Sequence, residues 1–184
     1  MIIALVETNF YDREHSLYTM ADTSDNLTPK EKKQLSEIPI IWIIGPPAAG
    51  KFHISNETVF KYGGIVVNTS QLHLENVMSK TDIGKMMEDL RFTQNDEMME
   101  ALYWDEMVRC LRAVLHFREL SSNEGVLSFI LVEHYPRSLE QAIRFKKEIK
   151  SPSLILNFNA SDDFCRKKDE ERKEFYGQQF YQRT

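Results

Sequence analysis

"IIGPPAAGKFHIS", residues 43–55, joins an apolar run to a turn rich in glycine, proline and alanine, and then to a helical segment. Gly45, Gly50 and Lys51 keep the spacing of a phosphate-binding loop. In such a loop, backbone N–H groups at a helix N-terminus and a lysine surround phosphate oxygens. The strand before the loop and the helix after it supply the context that this interpretation requires.

Four residues of the loop depart from that pattern. Ala48 and Ala49 stand where glycine and a small polar residue are expected, and an alanine at positive φ costs about 1–2 kcal/mol. Phe52 and His53 stand where a hydroxyl would ligate magnesium, which prefers hard oxygen ligands. Two interpretations therefore stay open: a loop that binds a nucleotide such as ATP or ADP, with magnesium binding in doubt, or a tight turn that binds nothing.

The rest of the chain alternates apolar runs with helical segments. The predicted strands are "IPIIWIIG", "GIVVNT", "GVLSFILVE" and "SPSLILNFN"; the predicted helices follow Gly50, run from Ser70 to about Phe117, span "SLEQAIRFKKEI" and begin near Asp162. Such alternation predicts an α/β fold of three layers with a parallel sheet of about four strands. Ligands of these sheets lie at the carboxyl ends of the strands, where "GPPAAGKFH" and "EHYPR" fall.

The composition restricts the class of function. The chain has 184 residues, 42% of them hydrophobic, and a net charge of −5, which argues against nucleic-acid and membrane partners. Its two cysteines, Cys110 and Cys165, are far apart and favour a reducing compartment. No apolar run approaches the roughly 20 residues of a membrane span, and "MIIALVE" lacks the basic front of a signal peptide. The expectation is a cytoplasmic protein.

Four blocks of the sequence resemble adenylate kinase and its nucleoside monophosphate kinase relatives, including UMP-CMP kinases. They are "IWIIGPPAAGKFHISNETVFKYGGIVVNTSQL", "IGKMMEDL", "FILVEHYPRSLEQAIRF" and "SPSLILNFNASDDFCRKK", which lie in the family's order between residues 41 and 168. The third block is the most specific, because Tyr-Pro-Arg closes a buried strand and a glutamine follows four residues later. The resemblance implies a P-loop domain that is a truncated version of the adenylate kinase fold.

Residues that match the family's motifs take over its roles only by this resemblance. It implies catalytic roles for Lys51 and Arg137, cofactor binding by Gly45, Gly50 and Lys51, and substrate binding by Thr69, Arg137 and Gln141. Other positions differ from the family: His53 replaces the loop hydroxyl, Ser70-Gln71 replaces Gly-Asp, Leu74 replaces an arginine, and Glu133-His134 replaces Asp-Gly. The family's lid with its arginines is not found. Catalysis of phosphoryl transfer depends on such positioned charges, so these losses predict a poor kinase or none.

A second idea concerns His53, Glu133 and His134, which are expected to lie close together at the loop and the neighbouring strand end. A nitrogen-rich metal site is one interpretation of this group. The favoured one is that the imidazoles fill space and hydrogen-bond to the glutamate, so that no metal ligand is assigned.

The predicted organisation has three parts. Residues 1–37 form an N-terminal extension with one turn of helix after Thr28-Pro29; residues 38–172 form the domain, with 68–98 as the equivalent of the monophosphate-binding lobe; residues 173–184 form an aromatic tail. The edge of "SLILNF" is expected to be covered by "MIIALVE" or by a protein partner, unless the N-terminal residues do not pack there at all. The pairs Phe175-Tyr176 and Phe180-Tyr181 either anchor an interface or pack on their own domain.

Three functions stay open. The first is an adenylate-kinase-like pseudoenzyme that serves as an interaction or assembly module, with a cytoskeletal or ciliary assembly as one setting. The second is a pseudoenzyme that still binds a nucleotide through Lys51 and the loop amides. The third is a weak nucleoside monophosphate kinase that transfers phosphate from ATP to AMP, UMP or CMP.

Overall fold

The computed structural model describes residues 26–93, 96–120 and 127–181. Within these ranges the chain forms four strands and seven helices. In chain order they are α1 (Pro29–Ser36), β1 (Ile40–Ile44), α2 (Lys51–Tyr62), β2 (Ile65–Asn68), α3 (Thr69–Met78), α4 (Asp82–Thr93), α5 (Asp96–Leu120), β3 (Ile130–Glu133), α6 (Leu139–Glu148), β4 (Leu154–Asn157) and α7 (Asp162–Tyr181).

The four strands form one parallel sheet in the order β2-β3-β1-β4. In the central pair, Ile41 lies opposite Leu131, and on the other side Ile41 lies opposite Leu154. Strands buried on both faces have continuous apolar sequences, and β1 reads IIWII for this reason. The α/β fold predicted from the sequence is confirmed.

Apolar side chains bury both faces of the sheet. On one face, Trp42 of β1 meets Phe145 of α6 edge to face at 5.3 Å between ring centroids, and Trp104 of α5 belongs to the same cluster. On the other face, Ile43 and Phe129 pack with neighbours that include Val59 of α2. Helices therefore cover the sheet from both sides, which gives the three predicted layers.

Helix α1 lies in the segment predicted as an N-terminal extension, and it has two turns instead of the predicted one. Thr28 caps it: the Glu31 N–H donates to Thr28 Oγ1 at 3.2 Å and the Thr28 N–H donates to Glu31 Oε2 at 2.6 Å. Leu27 and Leu35 are buried in the main core. Arg112 of α5 donates from Nε to Glu31 at 3.0 Å. The helix is thus packed on the domain, and its T-x-x-E sequence is the signal that marks its start.

Strand β4 is an outer strand of the described sheet and pairs only with β1 among the described strands. Leu154 and Ile155 are about half exposed, at 50% and 49%. The segment predicted to cover this edge, residues 1–7, lies outside the described residues. The side chains of residues 172–181, which include the predicted aromatic pairs of the tail, are not described either. Over the described ranges, no helix is long and apolar enough to cross a membrane.

Candidate functional site

Three segments that carry predicted site residues meet because their strands are neighbours. The loop 45–50 follows β1, Thr69 begins α3 directly after β2, and residues 134–138 follow β3. The strands β2, β3 and β1 are adjacent and parallel, so their carboxyl ends share one edge of the sheet. The candidate site lies at this edge, as the sequence predicted.

The loop backbone has three residues with positive φ. They are Gly45 at 139°, Ala48 at 60° and Gly50 at 87°. Gly50 precedes the first turn of α2, and a Cβ placed on it would meet no heavy atom within 4 Å. One of the two loop alanines, Ala48, therefore adopts the positive φ that is unfavourable for a residue with a Cβ.

Lys51 is the first residue of α2, and its side chain is buried against the loop. The ammonium donates to the carbonyl oxygens of Gly45 at 2.8 Å and Pro46 at 2.6 Å. Its positive charge therefore lies beside the loop and at the N-terminus of a helix, where anions are stabilised.

Glu133, at the end of β3, is fully buried and hydrogen-bonded through both carboxylate oxygens. Ser55 Oγ donates to Oε1, and Asn68 Nδ2 donates to Oε2 at 2.9 Å. Burial raises the pKa of this carboxyl, with the two hydrogen bonds and the Lys51 charge opposing the shift. Sequence reasoning missed Ser55; the signal was its place four residues after Lys51, on the same face of α2.

The structure does not bring His53, Glu133 and His134 together as a metal-binding group. His53 is exposed, and its Nε2 lies 3.3 Å from Glu57 on the next turn of α2. The two oxygens of Glu133 accept from Ser55 and Asn68. Over the described residues, no group of three or more His, Cys, Asp or Glu side chains is placed to hold a metal.

Arg137 is held by contacts to three segments. Its Nε donates to the His134 carbonyl at 2.9 Å, its Nη2 donates to Ser70 Oγ at 2.8 Å, and its guanidinium lies 4.5 Å from the centre of the Tyr103 ring. These contacts tie the segment after β3 to the first turn of α3 and to α5. These contacts hold the guanidinium at the carboxyl edge of the sheet, where an anionic ligand is expected.

Gln141 is buried on α6, and its amide is bonded to protein groups on both sides. Its Nε2 donates to the Glu100 carboxylate at 2.5 and 2.6 Å, and its Oε1 accepts from the Arg137 N–H at 2.6 Å. Glu100, on α5, was not predicted and carries no sequence signal of this contact. Thr69 is also fully buried, and its Oγ1 has no hydrogen-bond partner among the described residues.

The strand, the loop and the helix with its buried lysine define a P-loop α/β domain. No protein-family model matches the chain. Curated relatives are adenylate kinases. The chain is 28% identical over 138 residues to adenylate kinase 1 of Drosophila melanogaster. The aligned residues make up 73% of this chain and 54% of the relative.

Two further relatives give the same similarity. Adenylate kinase isoenzyme 1 of Rattus norvegicus is 28% identical over 130 residues, covering 71% of this chain and 62% of the relative. Adenylate kinase isoenzyme 5 of Homo sapiens is 26% identical over 131 residues, which is 71% of this chain and 22% of the relative. The chain is adenylate kinase-like, and it spans between about half and two thirds of the length of the first two relatives.

Proposed function

We propose that this chain is an adenylate-kinase-like pseudoenzyme that binds ATP or ADP through its loop and acts as a protein-interaction or assembly module. One observation carries the loss of catalysis. Two groups assigned by resemblance to the monophosphate substrate are engaged by other protein groups: the Gln141 amide donates to Glu100, and the Arg137 side chain donates to Ser70 and His134 and lies over the Tyr103 ring. A substrate would have to break these contacts, and the Glu100 carboxylate already accepts hydrogen bonds from the Gln141 amide.

The loop supports the nucleotide half of the proposal. Gly50 has open space around it, and the Lys51 ammonium lies against the loop carbonyls at the start of α2. The residues do not fit magnesium, because His53 stands in place of the loop hydroxyl and both oxygens of Glu133 already accept hydrogen bonds. Binding is therefore proposed to rest on Lys51 and the loop N–H groups, with no step through a metal.

The sheet edge supports the interaction half of the proposal. Leu154 and Ile155 of β4 are half exposed on an outer strand, and an exposed parallel edge offers unpaired backbone groups to a further strand. A protein partner that adds to this edge would bury both. The cytoplasm is the proposed setting, and a cytoskeletal or ciliary assembly is one place in which such a module could act.

Replacing Lys51 tests nucleotide binding. Wild-type protein at about 100 times the dissociation constant of ADP should gain about 2.7 kcal/mol of stability, seen as a shift of several degrees in thermal unfolding. Lys51→Met removes the ammonium and should abolish that shift. Lys61→Met, a substitution at the other end of the same helix, should keep it. No shift of the wild type with millimolar ATP or ADP would mean that the loop binds neither.

The similarity to adenylate kinases favours a weak nucleoside monophosphate kinase as a second candidate, because Lys51, Thr69, Arg137 and Gln141 are all present. Glu100→Ala should free the Gln141 amide and strengthen AMP binding by about tenfold, the value of one hydrogen bond to a charged group. The measurement is AMP-dependent formation of ADP from ATP, with the exposed Glu88→Ala as control. If neither wild type nor Glu100→Ala forms ADP above the Lys51→Met background, the kinase candidate is excluded.

A further inference from the structure

The helices α3, α4 and α5 meet at a buried polar cluster that the candidate site does not use. Its centre is Glu106 of α5, a carboxyl that is only 4% exposed. Asn76 Nδ2, from the last turn of α3, donates to Glu106 Oε1 at 2.9 Å. Oε2 is buried and has no hydrogen-bond partner among the described residues.

Asn76 also connects α3 to α4. Its Oδ1 accepts from Thr81 Oγ1 at 2.9 Å, and Thr81 Oγ1 in turn accepts from the Gly84 N–H at 3.0 Å. Gly84 packs so closely that a Cβ on it would lie 2.0 Å from the Asn76 carbonyl oxygen. Through Asn76, the Glu106 side chain of α5 is therefore connected to the junction at which α3 ends and α4 begins.

The protonation state of Glu106 changes the free energy of this contact. A neutral carboxyl in this place leaves one polar atom unpaired, whereas an ionised one is a buried charge with a single hydrogen-bond donor, which is far more costly. Burial raises the pKa of Glu106 to about 7, against the opposing effects of Asn76, Arg109 and Arg137. Arg109 lies on α5 itself, and Arg137 lies in the segment after β3.

We propose that Glu106 is a proton-controlled latch, which holds the α3–α4 pair against α5 when it is neutral and releases that pair when it ionises. The geometry also gives release a consequence. Arg137 donates to Ser70 at the first turn of α3 and lies over Tyr103 of α5, so a movement of α3 away from α5 would disturb one of these two contacts. The inference does not depend on whether the loop binds a nucleotide.

Hydrogen exchange measured from pH 5.5 to 8, corrected for intrinsic rates, tests the latch. If opening returns Glu106 to its usual pKa of 4.5, the opening constant of α3 and α4 should rise by roughly 25-fold over this range. Helix α2 carries Ser55, whose hydroxyl donates to the buried, titratable Glu133, so any pH response of α2 should be the same in wild type and in Glu106→Gln. The Glu106→Gln variant should keep high protection of α3 and α4 at every pH.

Two controls separate Glu106 from its neighbours. Glu88→Gln removes an exposed carboxylate of α4, and His73→Gln removes a buried imidazole of α3, which stacks on Tyr103 at 5.7 Å. Both variants should keep the wild-type pH response. The proposal is overturned if wild-type protection of α3 and α4 is flat with pH, if Glu106→Gln changes the pH response of α2, or if the response of α3 and α4 persists in Glu106→Gln. Because the wild-type series alone can overturn it, a poorly folded variant does not decide the matter.

Discussion

Gly45→Ala should be the more damaging of two alanine substitutions in the phosphate-binding loop, even in the absence of any nucleotide. A Cβ on Gly45 would lie 2.5 Å from the Phe158 carbonyl oxygen and 2.9 Å from the Phe158 Cβ, which no rotation of a side chain relieves. The φ of 139° adds backbone strain of about 1–3 kcal/mol. Overpacking of this kind costs a similar amount. We expect a total loss of about 4 kcal/mol.

Gly50→Ala is the matched control, since it makes the same change five residues later. No heavy atom lies within 4 Å of the added Cβ, so only the positive φ of 87° is unfavourable, at about 1–2 kcal/mol. Urea unfolding of both variants without ligand gives the comparison, and the midpoint of Gly45→Ala should be clearly the lower. Equal losses would contradict the view that Gly45 serves the packing of β1 against the residue after β4.

The comparison of Gly45 with Gly50 also shows why a match to the loop motif does not by itself assign a residue to cofactor binding. The resemblance assigned Gly45 and Gly50 to the same role, the binding of a cofactor. In the structure the first is required by the main chain of Phe158 and the second by the start of α2. Only at Gly50 is the space beside the glycine free of protein atoms. Any loss of nucleotide binding in Gly45→Ala would therefore have to be corrected for the fraction of the protein that is unfolded.

The fold was predictable from the sequence because its strands are short apolar runs that alternate with helices. The exception was the N-terminal boundary, where α1 has a largely polar sequence, PKEKKQLS, with one leucine turned into the core. Such a helix is stabilised by its cap and by a few long-range contacts, such as that of Glu31 with Arg112. The cap is local and visible in the sequence, whereas the long-range contact is not.

The candidate site was predictable only as far as strand order determines it. Adjacent strand ends bring the loop, Thr69 and Arg137 to one edge. The hydrogen-bond partners were not predictable, because Glu100 meets Gln141 and Ser70 meets Arg137 across separations of 41 and 67 residues. Because of these partners, residues that resemble a substrate site are hydrogen-bonded to other groups of the protein. The resemblance therefore gives the positions of the site residues but not the state of their hydrogen bonds.

Glu133→Ala should cost about 3–5 kcal/mol, since it removes the acceptor of the buried Ser55 Oγ and of the half-buried Asn68 Nδ2 and opens a cavity between β3 and α2. For a chain of this size the loss corresponds to a fall in Tm of about 10 °C. Glu133→Gln keeps the volume and one acceptor oxygen for Ser55, and the Asn68 amide can turn its oxygen toward the new amide group. It should therefore cost much less than Glu133→Ala.

The pH dependence of the two stabilities separates the charge of Glu133 from its hydrogen bonds. Because burial raises the folded-state pKa above the usual 4.5, the unfolded chain releases this proton first, and wild type loses stability as pH rises from 4.5 through the raised value. Glu133→Gln has no proton to lose here, so its stability relative to wild type should increase between pH 5 and pH 8. A constant difference would mean that Lys51 and the two donors fully compensate the charge. Because both carboxylate oxygens already accept from protein groups, Glu133 would then stabilise the packing of α2 on the sheet through its hydrogen bonds.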